Sequence, residues 1–246
     1  MDIFTSAAPK ALRSLAQSSR QRLQPYILRR TFLPNPFATS SSHQTPPQIL
    51  KARRTLPYPN APIYSIIADV PSYSTFLPYC QRSDITKWSA PDKKYGRSWP
   101  SEGILTSGFG NITESFASRV YCVPGKIVES VGGDTKTSLS NEEIVHHLEG
   151  QIHESRKREG GSNGLLTHLR SKWTIEELGK NSTSVVLSVE FAFSNPLYAA
   201  LSGGAAPRVA DFMIKAFEQR VRVLLELNPD MAQASLAELD GSALRK

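Results

Sequence analysis

Along much of this chain apolar and polar residues alternate, and near its end the alternation gives way to a helical period. In the stretch 183–193, Val185, Leu187, Val189, Phe191 and Phe193 share one parity, and Ser184, Ser188 and Glu190 share the other. Just upstream, Leu165, Leu169, Trp173 and Ile175 oppose His168, Arg170, Lys172 and Glu176. A period of two marks a strand with one buried and one wetted face. Joined through Gly179-Lys180-Asn181, the two stretches predict a long hairpin, with Gly and Asn suited to positive φ. Further strands are predicted over Ile49–Leu56, Ser83–Trp88, Ser101–Phe109, Ile112–Val123 and Lys126–Val131, the last two separated by a Pro124-Gly125 turn. Phe116, Val120 and Cys122 suggest the same sidedness for the long middle strand, less cleanly.

Helical signals flank the strands. Asn60 is placed to cap a short helix over Ala61–Ala68, with Pro62 tolerated in the first turn and Asp69-Val70-Pro71 ending it. A second short helix is predicted over Tyr73–Leu77. After Asn195-Pro196, Val209, Phe212, Met213, Ala216, Phe217, Val221 and Leu224 recur at helical spacing, with Arg208, Asp211, Lys215, Glu218, Arg222 and Glu226 mostly opposite. This predicts an amphipathic helix to Leu227, stopped by Asn228-Pro229. Roughly 20 residues span about 30 Å at 1.5 Å per residue. A sheet with one apolar face must cover it, and only this helix is long enough. Residues 132–163, polar and bracketed by Gly pairs, read as a disordered insertion in which Glu142–Arg158 could form a solvated helix.

Composition changes the picture at one end. Residues 1–47 hold six of the 29 Lys and Arg residues but only one of the 22 Asp and Glu residues, which leaves +2 of the formal +7 for the rest. A nearly neutral folded part argues against the counterion-release binding that dominates nucleic-acid affinity, and no nucleic-acid partner is expected. From Ile3 to about Leu28, Ala, Leu and Ile interleave with Arg and Lys, the pattern of an amphipathic transit peptide. Arg30-Thr31-Phe32 resembles a matrix-protease site, and residues 34–47 read as a disordered linker. The expected division is therefore a leader and linker over 1–47, a folded domain over 48–228 and a tail over 229–246. No window approaches the roughly 18 apolar residues of a membrane span. Cys80 and Cys122 show no paired spacing, which excludes a disulfide scaffold.

Several ordered blocks carry a resemblance. Ile66-Ile67-Ala68-Asp69-Val70, Tyr73, Phe76-Leu77-Pro78-Tyr79-Cys80 and Ser83 resemble the IVADVxxYxxFLPxC…S signature of the mitochondrial coenzyme Q-binding family. That family lies within the START-like polyketide cyclase and lipid transport superfamily. Glu114-Ser115-Phe116, Ser118-Arg119-Val120, Phe191-Ala192-Phe193, Asn195-Pro196-Leu197-Tyr198 and Ala216-Phe217-Glu218-Gln219-Arg220 fit the same family. The resemblance covers about residues 49–227. It departs at the 132–163 insertion and at Tyr79, where the family commonly has Trp. It implies an α+β, START-like helix-grip fold, in which a curved antiparallel sheet grips a long C-terminal helix around an apolar cavity. It also implies a mitochondrial protein, peripheral on the matrix side of the inner membrane, that binds ubiquinone or a related isoprenoid lipid. Ubiquinone would be a bound ligand, with no catalytic cofactor and no enzymatic step. The protein would act as a quinone chaperone for respiration and quinone biosynthesis, with respiratory or quinone-synthesis complexes as candidate partners.

On that fold the cavity is expected to be lined by Phe109, Phe116, Val120, Leu169, Trp173, Phe191, Phe193, Phe212, Met213 and Phe217, although any one of them also suits plain core. Phe76, Leu77, Pro78 and Tyr79 are expected on a loop at the cavity mouth or, equally, in a rigid turn of packed aromatics; if exposed, Leu77 and Tyr79 would meet the bilayer interface. His146, Glu149 and His153 would share one helical face, yet neither an HExxH nor a fixed ligand set supports a metal site. The chain has no GxSxG and no phosphate loop. Arg119 and Arg220 suit either a polar head group or surface ion pairs. Two other functions stay open on the same fold. A cyclase or dehydratase would need acid–base groups inside the cavity; a ribosome-associated module would want a basic patch.

Overall fold

The computed structural model describes residues 46–109, 112–133, 135–149, 166–194 and 206–239, with the backbone alone at Phe109, Ile112, Ala206 and Pro207. Among the described residues, seven strands form one antiparallel sheet: β1 (Gln48–Leu56), β2 (Cys80–Trp88), β3 (Pro100–Phe109), β4 (Ile112–Val123), β5 (Ile127–Gly133), β6 (Leu166–Gly179) and β7 (Ser182–Phe193). Their order is β1-β7-β6-β5-β4-β3-β2, so the first strand pairs with the last. Helices α1 (Asn60–Ala68) and α2 (Tyr73–Phe76), with a 3-10 turn at Val70–Ser72 between them, connect β1 to β2. Helix α3 (Val145–Leu148) lies between β5 and β6, and α4 (Ala206–Leu227) follows β7. This is the helix-grip arrangement the resemblance implies.

The predicted strands are present, and the misplaced boundaries have local causes. β2 begins at Cys80, before the expected Ser83, because its register shifts at Cys80/Arg82, Ile85/Lys87 and Lys87/Trp88. Such bulges bend a strand and interrupt its alternation. Asn60 does not cap α1; its Nδ2 donates to the Gly125 carbonyl at 3.0 Å, tying the helix start to the β4–β5 turn. Gly125 takes φ 77 there. The β6–β7 hairpin forms without positive φ at Gly179 or Asn181. A register shift between Glu177 and Gly179 supplies the extra twist instead.

One end of the sheet's inner face is closed. Leu56, Ile175, Val185 and Leu187 pack against Ile63, Tyr64 and Ile67 of α1 and Ile214, Phe217 and Val221 of α4. Trp99 is fully buried, with its ring edge-on to Tyr64 at 5.3 Å and the Arg97 guanidinium 4.1 Å over it. The expected tail belongs to this end. Leu236 and Leu239 are buried, and Arg97 Nη1 donates to their carbonyls at 3.1 and 2.6 Å.

The expected insertion also needs correction. Residues 135–149 are folded onto the outer face of β4–β6, where Leu139 and Ile144 pack with Tyr121 and Val131. Their polarity conceals this because they answer polar groups on the sheet. Glu129, 0% exposed, accepts hydrogen bonds from the Thr137 hydroxyl and from Ser138 N at 3.0 Å. Arg119 and Arg170 donate to the carbonyls of Thr135 and Lys136, each at 2.8 Å. Residues 150–163 and the leader over 1–45 lie outside the described residues. No helix among the described residues is long and apolar enough to cross a membrane.

Candidate functional site

Between the other end of the inner face and the first half of α4 lies a cavity of about 580 Å³. Strand register lays out its floor. One row of paired residues runs Leu50, Val189, Ser171, Ser130, Val120 across five strands. The next row outward is Phe191, Leu169, Gly132, Ser118, Gly103. Leu105 and Phe116 follow, then Ser107 and Glu114, with the Leu166–Phe193 pair at the far side. Inward, Val128 and Trp173 end the space, and Trp173 meets the Phe217 ring at 5.1 Å. Val209 and Met213 of α4, with Val70, Tyr73, Leu77 and Tyr79, form the cover.

The signature residues brace that cover. Where α1 stops, Tyr73 OH donates to the Ile67 carbonyl at 2.6 Å and Ser83 Oγ to the Val70 carbonyl at 2.7 Å. The Ser72 hydroxyl donates to the Asp69 carboxylate. Backbone groups that leave a helix inside the protein are thereby satisfied. Burial raises the Tyr73 phenol pKa, keeping it a neutral donor. Leu77 precedes a proline and is extended, at φ −76 and ψ 131. Tyr79 then takes φ 66, a left-handed conformation that costs a non-glycine residue about 1–2 kcal/mol. Its carbonyl accepts from Gly108 N at 2.9 Å, anchoring the loop to β3.

Of the residues expected to line the cavity, Phe116, Val120, Leu169, Trp173, Phe191, Phe193 and Met213 do so. Phe212 does not: it is 49% exposed, on the outer side of α4. The inward face of that helix recurs every fourth residue, at Val209, Met213 and Phe217, and residue 212 lies about 100° away from 213. Phe217 is inward but 1% exposed, packed in the closed end rather than on the cavity wall. The Phe109 side chain lies outside the described residues. At the mouth, Leu77 and Tyr79 border the cavity, while Phe76 and Pro78 join Tyr79 and Phe212 around a shallow outer groove with Lys215 and Gln219. Leu77 is only 6% exposed, so it faces the cavity and not a bilayer.

The pattern reading missed Leu50, Val70, Tyr73, Ser118, Ser130 and Ser171. The serines share the parity of Val120, Val128 and Trp173, but polar residues on an apolar face read as interruptions. Arg119 and His168 lie on the outer face, bonded to Thr135. The Arg220 guanidinium lies 5.8 Å from the Phe76 ring. Among the described residues, the titratable ones lining the cavity are Tyr73, Tyr79, Asp84 and Glu114, with no His, Cys, Lys or Arg. Among the described residues, no group of three or more His, Cys, Asp or Glu is placed to hold a metal ion.

Residues 56–218 match the family described as polyketide cyclase/dehydrase and lipid transport. Over 180 residues the chain is 28% identical to the mitochondrial coenzyme Q-binding protein coq10 of Schizosaccharomyces pombe, an alignment covering 73% of this chain and 90% of that one. Over 169 residues it is 26% identical to the ribosome association toxin RatA of Pseudomonas aeruginosa, covering 69% and 92%. A START superfamily protein from Mycobacterium smegmatis has the same fold, with a TM-score of 0.50 at 16% identity over 72% of this chain and 98% of that one.

Proposed function

The chain belongs to the polyketide cyclase/dehydrase and lipid transport family, and from that premise we propose that it binds ubiquinone or a related isoprenoid lipid without chemical conversion. The observation that carries this reading is the apolar cavity of about 580 Å³ between the sheet and α4, a size usual for small-molecule sites. Burying one CH₂ contributes about 0.8 kcal/mol, so ten buried carbons give roughly 8 kcal/mol before association costs, or about micromolar affinity. Acid–base chemistry finds little support in the lining. Tyr73 is committed to a backbone carbonyl, Asp84 is paired with Arg82 on the edge strand, and Glu114 lies in the outermost rows.

The coq10 relative and the acid-poor, amphipathic leader support a mitochondrial location. The groove of Phe76, Pro78, Tyr79 and Phe212, with Lys215 beside it, supports peripheral contact with the matrix side of the inner membrane. In that setting the protein acts as a quinone chaperone for respiratory electron transport and quinone biosynthesis.

The test is to express the 246-residue chain in a quinone-producing host, purify it without detergent, and analyse the extracted lipid by mass spectrometry. Stoichiometric ubiquinone is expected. A clean extract, followed by no uptake from ubiquinone-loaded liposomes, would overturn the reading. The RatA relative favours one rival, which co-sedimentation of the same sample with ribosomes would then support.

A further inference from the structure

We propose that the hydroxyls of Ser118, Ser130 and Ser171 form a hydrogen-bonding subsite for the ring oxygens of a neutral head group, bound head inward with its tail toward the mouth. This rests on the lipid-binding reading above and specifies how the lipid lies.

Register places the three together. Ser130 and Ser171 are directly paired across β5 and β6, and Ser118 pairs with Gly132, two residues along β5 from Ser130. Gly132 adds no side chain between them. A Cβ there would meet Leu169 at ordinary contact distance, 3.5 Å, so steric exclusion does not dictate the glycine. Around the serines stand Val120, Val128, Leu169, Trp173 and Val189.

Elsewhere in the molecule several serine hydroxyls find protein partners, although among the described residues that of the buried Ser65 has none. Ser72 donates to Asp69, Ser83 to Val70, Ser138 to Glu129, and Ser101 bonds His147. Among the described residues nothing hydrogen-bonds to the hydroxyls of Ser118, Ser130 or Ser171, which line the cavity. Polar groups in apolar surroundings are ordinarily paired, and here the partner must come from whatever fills the space.

The chemistry of that partner follows from the neighbours. Among the described residues no Lys, Arg or His lines the cavity, so an anionic head such as a phosphate or a fatty carboxylate would find no counter-charge beside the serines. A serine hydroxyl both donates and accepts. It can serve the ketone oxygen of an oxidised ring and the hydroxyl of a reduced one. The serines lie beside Val128 and Trp173, where the cavity ends. From there Phe116, Leu169, Phe191 and Phe193 lead outward to Tyr79 and Leu77, an apolar path for an isoprenoid chain.

The experiment compares the full chain with its Ser130→Ala/Ser171→Ala variant by isothermal titration calorimetry. One probe is a short-chain ubiquinone, oxidised and reduced; the other is a benzene bearing the same prenyl chain but no ring oxygens. Among the described residues the removed hydroxyls have no partner, so the variant should fold, and a melting curve verifies this. The expected result is an approximately tenfold weaker affinity for both redox forms of the quinone, about 1.4 kcal/mol for two neutral hydrogen bonds, and less than about twofold change for the hydrocarbon. Equal losses for both probes, or no loss for the quinone, would overturn the subsite while leaving lipid binding intact. A wild-type chain that takes up neither probe would overturn the proposed function, and the subsite with it.

Discussion

On strand β7, Val185 and Leu187 are 0% exposed against α1 and α4, whereas Phe191 and Phe193, farther along with the same parity, border about 580 Å³ of space. The strand is the same, the side chains are larger at the open end, and yet only the smaller ones are sealed. What differs is the cover. At the closed end α1, the second half of α4 and the residues through Leu239 converge on the sheet. At the open end, among the described residues, only Val209 and Met213 of α4 and the braced segment from Val70 to Tyr79 reach across. Alternation along a strand therefore marks which face is turned from water. Whether that face is filled depends on elements far away in sequence.

The widest difference between the ends should appear in stability. Phe217→Ala removes a ring that packs on Trp173 in the sealed end, and a loss of about 3–5 kcal/mol is expected. Phe191→Ala removes a ring bordered by the cavity and by Phe193 at 5.5 Å. Its neighbours already lack contacts on one side, so the expected loss is under about 2 kcal/mol, below the usual range for a fully packed ring. Urea denaturation of both variants checks this. Equal losses would mean that the open end is packed as core.

A titratable group sharpens the contrast on the outer face. His147 takes the place of a strand partner: Cys122 N donates to its Nε2 at 2.8 Å, and its Nδ1 lies 3.1 Å from Ser101 Oγ. Nε2 accepts, so the proton sits on Nδ1. Burial, and then the adjacent His146, push its pKa from 6.5 down to about 3. Above about pH 6.5 both folded and unfolded chains hold it neutral, and its contribution to stability is fully present. Between about 6.5 and 3 the unfolded chain takes up a proton that the folded chain refuses, and stability falls with pH. Moving from pH 7 to 5 should cost about 2 kcal/mol through this group at about 1.4 kcal/mol per pH unit. In His147→Gln, whose amide oxygen can still accept from Cys122, that part of the slope should vanish. An unchanged slope would place the titration elsewhere.

These two regions also show what was legible beforehand. The hairpin and α4 carry long periods and the middle strand a more broken one, and a single interior face follows from them despite the polar interruptions. The fold of 135–149 was hidden because its binding residues are polar: Thr137 and Ser138 answer the buried Glu129, and hydrogen-bond partners leave no period in a sequence. The end of the chain was hidden for a related reason, since two buried leucines, Leu236 and Leu239, are too few to show one. In the cavity, aromatic residues on the inward parity of β4, β6 and β7 were legible. Phe212 was misplaced because an apolar stripe more than 100° wide does not say which edge of it meets the sheet. Ser130 and Ser171 were invisible as site residues, because only register places them opposite each other.

Filling the open end from its cover tests the cavity without touching the serines. Met213→Trp adds bulk from α4 toward the space that Val209 and Met213 overlie. Ubiquinone affinity should fall at least about tenfold, roughly 1.4 kcal/mol, while the melting temperature holds or rises because no sealed contact is lost. The same substitution in a fully packed core would be expected to cost about 1–3 kcal/mol through overpacking. A marked drop in melting temperature together with retained affinity would show that the lipid sits somewhere other than beneath Met213.

The smallest expected effect lies just outside the same helix. Phe212, 49% exposed, borders the groove with Phe76, Pro78 and Tyr79 and buries no sealed contact. Phe212→Ser should shift stability by less than about 0.5 kcal/mol, as surface substitutions generally do, and should leave the affinity for a dissolved short-chain quinone within about twofold. Co-sedimentation with vesicles is where it should register, as a several-fold loss, because an exposed ring beside Lys215 gains by entering the bilayer interface. If vesicle binding stays unchanged in Phe212→Ser and also in Tyr79→Ser, the groove is not the docking edge. The comparison between the ends would then concern the interior alone, with lipid entering the cavity by a route that owes nothing to this surface.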